Sequence, residues 1–506
     1  MNKKLLNLLL VVMMLAVLAP TALAAPPAQE EGQDYVVVAD DWLSKLADKY
    51  LGNPLAYPAI TNYTNQKNKE DSSYAKITDS NLIEVGWKIY IPSAAEAEAY
   101  LEAPTVKTVA TGEDTIKIGG VGPLSAPGTV VGGIGMKFAM ELAVKDINDA
   151  GGVLGKPVEL VFADTEGLPE RGAAIAERMI TENKVVAITG EYHSSVGLAE
   201  LEVCHEYGIP CLFSETWSDK ITASGYPEVF RIAPASSMTS RAVVDWLAQV
   251  GVKRVQLIAE TTDFGTGMAE TQKTLLEGMG VEVLDTIFIE MGTEDFTAIL
   301  TRIQAIDPPP DVVSAEAVTG ETSYNLEQQM AELGVAPTDV TMGIGNQVAV
   351  QPEFWESVPN GNYFVFTHVG LPPTLFNDTT NKVADAYRAE FDTEPPSYAL
   401  EAYDSLWILA DAIERAGTTE PKALIDALED TDINLAQGRY WFKYGSKNPL
   451  PTDGSVPDYM WHQWPDPAVL VLQYFEPNQA GMEAAVVWPE VYQTHGTTYI
   501  PYGTTP

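Results

Sequence analysis

From residue 114 onward one local pattern repeats along the chain. An apolar run of five or six residues leads into a polar loop with Gly, Ser or Pro. An amphipathic helical stretch follows, then a stop, and then another apolar run. In the first unit Ile116, Ile118 and Val121 form the run, and Pro123 and Ser125 lie in the loop. Met136, Met140, Ala143, Val144 and Ile147 share one helical stripe, and Gly151 and Gly152 end it. Near-continuous apolar strands linked through helices are parallel strands covered on both faces. The pattern therefore predicts an α/β fold. It also places the polar loops at the carboxyl ends of parallel strands, where open α/β sheets bind ligands.

The spacing predicts strands at 116–121, 158–162, 185–189 and 210–214, with helices at 135–149, 170–183 and 195–207. After Pro234 the pattern begins afresh. Helices at 237–250, 267–279, 296–306 and 325–333 alternate with strands at 255–259, 281–288, 312–315 and 340–343. Two similar α/β units thus stand in series, followed by helices at 381–391 and 397–415.

The 506 residues suit two to four structural units. Residues 1–24 read as a signal peptide: Lys3 and Lys4 precede an apolar stretch from 5 to 18, and Ala22, Leu23 and Ala24 form a small-residue cleavage pattern. The protein is expected to be secreted, and no cysteine stands at the cleavage site to carry a lipid. Seventy acidic side chains face 30 basic ones, a formal charge of −40. Such a surface repels nucleic acid and anionic membranes. Export permits a disulfide between Cys204 and Cys211, and sequence leaves that pairing and two buried thiols both open.

Residues 34–92 form a separate module. A strand at 34–38, a capped helix at 40–50, a second helix at 57–65 and a closing strand before Pro92 give the order βααβ. Across its length this module resembles a LysM domain. The resemblance rests on Tyr35, Val36 and Val37, on Asp41, Trp42 and Leu43, on 47–50, on Gly52, Ile60 and Asn62, and on 85–92. It implies binding of peptidoglycan or another glycan containing N-acetylglucosamine. The implied groove uses Asp40, Asp41, Trp42, Asn62 and Asn65. Two departures stand out: Ala39 and Asp40 replace the usual glycine before the capping aspartate, and the stretch 66–76 is longer and more polar than usual. Residues 93–113 read as a linker.

Residues 114–490 resemble the extracytoplasmic solute-binding proteins of branched-chain amino acid ABC transporters (Leu/Ile/Val-binding, periplasmic binding protein type 1). The resemblance lies in the order of elements and covers the body in two parts. It implies a two-lobed fold of two doubly wound parallel sheets joined by a three-segment hinge. Lobe 1 would comprise about 114–236 and 367–440, and lobe 2 about 237–366 and 441–490. The third crossing would fall near 438–450, and 491–506 would be a tail. The implied function is capture of a small polar organic solute between the lobes by hinge closure, and delivery to a membrane ABC permease. A monomer is expected. A sensory protein that holds peptidoglycan and signals to a receptor is the alternative class.

The resemblance places the ligand on strand-end loops: Ser125, then Tyr192, His193, Ser194 and Ser195, then Glu215, Thr216 and Trp217, with Phe264 shielding from the second lobe. Ser194 and Ser195 open a helix, where free N–H groups attract anions; in amino-acid-binding relatives Ser194 and Thr216 would hold the α-carboxylate. Such relatives supply an acid after the strand at Met342, and here 342–347 contains none. Glu215, Glu316 or Glu321 would have to substitute. That departure keeps amides, short peptides, aromatic carboxylates and urea-like solutes open beside amino acids. No zinc spacing, phosphate-cradling loop or nucleophile–histidine arrangement is present, since Cys204 and His205 are adjacent and diverge on a helix. No enzyme activity, cofactor or metal is expected.

Overall fold

The structure is a computed structural model that describes residues 32–38, 43–51, 56–77, 83, 85–97, 115–351 and 353–506. The expected signal peptide, the expected glycan contacts Asp40, Asp41 and Trp42, and most of the linker lie outside these residues. The chain divides into two compact units, Met1–Val109 and Ala110–Pro506.

In the first unit β1 (Gln33–Val36) pairs antiparallel with β2 (Lys88–Ile91). Helices Leu43–Leu51 and Tyr57–Glu70 lie between them in sequence. Leu46, Ala59, Ile60, Ile89 and Ile91 are fully buried and form the core. The βααβ order is as expected, but the second helix runs five residues past 65, and its Asn65 and Asn68 side chains donate to the Ile77 and Tyr74 carbonyls of the loop that follows. Asn65 accepts from the N–H of Ile77 and donates to its carbonyl, at 2.8 and 2.7 Å. Both its amide nitrogen and its amide oxygen thus have partners inside the module.

The second unit contains two sheets. The first holds β3 (Ile116–Gly122), β4 (Val158–Asp164), β5 (Ala187–Gly190), β6 (Cys211–Phe213) and β7 (Val229–Arg231), all parallel, in the order β4-β3-β5-β6-β7. The second holds β8 (Arg254–Glu260), β9 (Glu282–Ile289), β10 (Val312–Ala317), β11 (Met342–Gly345), β12 (Val365–Val369), β15 (Val469–Gln473) and β16 (Ala485–Trp488). Its order is β16-β15-β12-β11-β10-β8-β9; the five central-to-edge strands from β12 to β9 are parallel, and β15 and β16 add antiparallel. A hairpin of β13 (Asp432–Leu435) and β14 (Gly438–Trp441) lies between these parts of the chain.

The sequence reading of an α/β body with two sheets is correct. The first-lobe core joins helix Val130–Asp149 to the long helix Ser397–Ala416, which is buried along most of its length. Each fully buried aliphatic side chain there contributes about 1.5–3 kcal/mol. Helix Val130–Asp149 begins five residues before the expected start. Its Gly133 sits against the Pro123 loop so closely that a Cβ would lie 1.7 Å from the Pro123 carbonyl oxygen. Residues 461–464, expected with the second lobe, instead run beside β7: Arg231 donates to the His462 carbonyl and accepts from the Trp464 N–H. The third passage between lobes therefore falls after Trp464, not at 438–450. Residues 491–506, expected as a C-terminal tail, reach back to the second lobe: Trp246 Nε1 donates to the Thr498 carbonyl and Ile500 is buried in the core beside the second sheet. Cys204 and Cys211 pair as a disulfide, with Cα atoms 6.4 Å apart.

Candidate functional site

The carboxyl ends of both sheets face each other across the cleft. On the first lobe, β5 ends at Gly190, whose φ of +115° turns the chain sharply into Glu191. Glu191 is fully buried and accepts from the N–H groups of Tyr192 and His193 at 3.0 and 2.8 Å. Helix Ser194–Tyr207 then starts. Its first N–H groups have no carbonyl four residues back to bond. β6 ends at Phe213 and delivers the buried run 214–218.

Within this run Ser214 Oγ and Thr216 Oγ1 are buried and have no protein hydrogen-bond partner. Glu215 is 3 % exposed. One of its oxygens accepts from Gln347 Nε2 of the second lobe at 2.8 Å. The other has no hydrogen-bond partner in the protein, and the Glu401 carboxyl and the Trp217 indole stand near the Glu215 carboxyl. Burial pushes Glu215 up to about 7, against the pull of Glu401, Gln347 and Trp217. Glu401, inside the long helix, is raised well above the usual carboxylate range by burial and by Glu215 beside it. Two neighbouring buried carboxyls cannot both ionise cheaply, which adds to the upward push on Glu401.

The walls are aromatic. Trp217 and Phe264 meet edge to face at 6.2 Å, one from each lobe. Tyr192 meets Tyr398 likewise at 5.7 Å, and its hydroxyl ionisation is suppressed by burial, Glu215 and Glu260. Glu260 ends β8, is held by the Thr319 N–H and hydroxyl, and is raised to about 7 by burial. The lobes touch elsewhere too: the Asp263 N–H donates to Ser195 Oγ at 3.3 Å, and Lys220 pairs with Asp263 at 2.7 Å.

The structure thus brings Tyr192, Glu215, Thr216, Trp217 and Phe264 together on the cleft, with Ser195 at its edge. Ser194 is there too, but its hydroxyl oxygen already accepts from the Trp217 and Ser218 N–H groups at 3.1 and 3.0 Å, which leaves only its proton to offer. Three others have different work. Ser125 donates to Asp164 at 2.6 Å and braces its own loop. His193 Nε2 accepts from the Thr129 N–H at 2.9 Å, and burial holds its ring neutral, down to about 4. Glu316 accepts from Gln272 at 2.6 Å inside the second lobe, where burial raises it to about 8. Sequence reasoning missed Glu401, Gln347 and Glu260 as site residues. Glu401 was signalled by a carboxylate on the apolar face of the long helix; Gln347 carried no signal, because an amide in a loop is unremarkable.

Comparison with known proteins matches this architecture. A family profile described as periplasmic binding protein covers residues 115–452. An "amino acid binding protein" of Pseudomonas aeruginosa is 27% identical over 328 residues, covering 64% of this chain and 83% of that protein. Among solved structures, a leucine-binding protein from Thermotoga maritima has a TM-score of 0.60 at 23% identity, covering 71% of this chain and 96% of that one. A solute-binding protein from Rhodopseudomonas palustris in complex with 3,4-dihydroxybenzoic acid has a TM-score of 0.60 at 20% identity, covering 71% and 93%.

Proposed function

This chain belongs to the periplasmic binding protein family, and from that premise we propose that it captures a small amino-acid-like or aromatic carboxylate solute between its lobes and hands it to an ABC permease. It is a binding protein, not an enzyme. The observation that carries the reading is the buried run 214–217, where hydroxyls lacking protein partners stand beside a helix N-terminus. Buried polar groups are nearly always bonded, so unbonded ones at a strand-end loop are groups that a ligand completes. The first N–H groups of helix Ser194–Tyr207, the Ser194 proton and the Thr216 hydroxyl together suit an anionic or strongly accepting head group. Relatives whose names specify amino acids, and one crystallised with a dihydroxybenzoate, support the same chemistry. Mass spectrometry of solute that co-purifies with the protein tests it; a protein that carries none and whose melting temperature no small carboxylate or amine raises is not a solute-binding protein.

The N-terminal module keeps the protein at the cell wall in this reading, supported by its βααβ order and its antiparallel β1–β2 pairing. Its test is retention on purified peptidoglycan, compared with a chain lacking residues 25–113. Equal retention of the two excludes the module as the anchor.

A further inference from the structure

We propose that a groove at the hinge is a second ligand site, taking an organic cation on an aromatic or apolar frame, and that filling it favours the closed lobes. The groove holds about 1150 Å³, enough for a small organic molecule. None of the cleft residues lines it. All three passages between the lobes border it: Ser237 on the first, Leu371 on the second and 466–469 on the third. Gln437 and Tyr459 of the first lobe line it together with Glu270, Leu275 and Trp488 of the second. Rotation of one lobe against the other therefore changes its shape.

Four carboxylates line the groove, Asp219, Asp245, Glu270 and Asp466, against one cation, Arg241. Arg241 stands 3.9 Å from Asp245, one helical turn on. Asp219 accepts from the N–H and hydroxyl of Ser237, and Asp466 accepts from Trp441 Nε1 at 2.8 Å. No lysine or arginine among the described residues forms an ion pair with Glu270 or Asp466. Acid alone would say little in a chain with 70 acidic residues. Two further features single out this place. Tyr459, Trp488 and Tyr492 are half-buried and line the groove, so they offer aromatic surface to a cation. Gln437 is only 6 % exposed, yet its Nε2 has no protein hydrogen-bond partner. Its amide lies against Gly370, where the second passage turns with φ +123° and a Cβ would come within 2.8 Å of Gln437 Oε1. Buried amides are nearly always bonded, and a hydroxyl or carbonyl of the ligand would complete this one. The lobes are in contact here through Gln347 and Glu215. A ligand that fits the groove in this arrangement stabilises it, and closure in turn tightens the ligand.

The test uses the full chain with tyramine, an aromatic cation bearing a hydroxyl, and 4-ethylphenol, the same frame without the charge. Calorimetry should find tyramine bound and 4-ethylphenol bound more weakly. Glu270, Asp466 and Arg241 are exposed, so their amide variants should melt like the parent. The double variant Glu270→Gln with Asp466→Asn should weaken tyramine about threefold to twentyfold. Arg241→Gln should tighten it, and Thr216→Val, in the cleft, should leave it unchanged. Small-angle scattering should show a smaller radius of gyration with saturating tyramine. No binding at millimolar tyramine overturns the site, and so does binding that the Glu270, Asp466 and Arg241 variants leave unchanged. Weakening by Thr216→Val alone moves tyramine to the cleft and likewise overturns it. Equal binding of 4-ethylphenol overturns the cation, and bound tyramine with an unchanged radius of gyration overturns the coupling to closure. None of these results bears on solute capture in the cleft, which the co-purification test decides separately.

Discussion

Gln347 Nε2, on the second lobe, donates to Glu215 Oε1, on the first, across 2.8 Å. Both side chains are buried, so the bond exists only while the lobes are together, and opening exposes both partners to water. Replacing Gln347 with Leu leaves a buried oxygen unpaired in the closed form alone, at about 1–3 kcal/mol. The expected result is a dissociation constant raised about fivefold to a hundredfold for the co-purifying solute, with the ligand-free melting temperature within a few degrees of the parent. Calorimetry and thermal denaturation together check this; an unchanged dissociation constant removes Gln347 from closure.

Much of the fold is written locally. The strands and helices of both α/β units follow from apolar runs and 3.6-residue stripes, and β3, β5, β8 and β10 fall within two residues of their expected bounds. The departures come from contacts between distant parts of the chain. Nothing near 461–464 tells that Arg231 will bridge to Gln463, because that register is set by a neighbour more than 200 residues away. The early start of helix Val130–Asp149 is hidden by its glycines, which weaken helix propensity yet permit the contact with Pro123. In the site, loop residues at strand ends were legible because topology places them. Glu401 stood out only as a carboxylate on the apolar face of its helix; that Glu215 comes near it from another element was not readable.

Two glycines in helices should respond oppositely to alanine. At Gly133 the added Cβ would lie 1.7 Å from the Pro123 carbonyl oxygen, a backbone atom that cannot swing away. Gly133→Ala should destabilise by about 1–3 kcal/mol and displace the loop that carries Ser125. At Gly267 a Cβ meets nothing within 4 Å, and the residue lies inside helix Asp263–Gly278. Gly267→Ala should stabilise by up to about 1 kcal/mol. Denaturant titration of the two variants checks the opposite signs.

The acid balance predicts a stability maximum in mildly acidic solution. Burial raises Glu327 to about 7 and Glu316 to about 8, partly opposed by hydrogen bonds from Ser323 and the Asn346 N–H and from Gln272 and Thr367. A group raised in the folded state contributes stability that is present below its unfolded value, near 4.3, and is lost as pH rises through 7 to 8. Glu429 has the opposite sign. Burial raises it, but His462 and Ser446 outweigh burial and bring it down to about 2. Its contribution is present above about 4.3 and is lost as pH falls toward 2. The ligand-free melting temperature should therefore peak between about pH 4.5 and 6. Glu327→Gln and Glu316→Gln should flatten the alkaline side, and Glu429→Gln the acid side. A melting temperature that climbs steadily from pH 5 to 8 contradicts the assignment.

The head-group proposal separates two residues that sequence alone treats as equals. Ser194 Oγ accepts two buried N–H groups, from Trp217 and Ser218. Ser194→Ala strands both donors, so it should lower stability by about 1–3 kcal/mol or more and loosen the 214–218 run itself. Weakened binding in that variant could arise from either cause. Thr216 Oγ1 has no protein partner, and the residue is fully buried. Thr216→Val keeps its shape and removes a buried hydroxyl that no protein group satisfies, so the ligand-free variant should be as stable as the parent or more so. If the hydroxyl donates to a charged head group of the solute, that bond is worth about 1.5–3 kcal/mol. Thr216→Val should then bind the co-purifying solute about tenfold to a hundredfold more weakly while melting no lower without it. Calorimetry paired with a ligand-free melt decides; a Thr216→Val protein that binds as tightly as the parent takes the head group away from this loop.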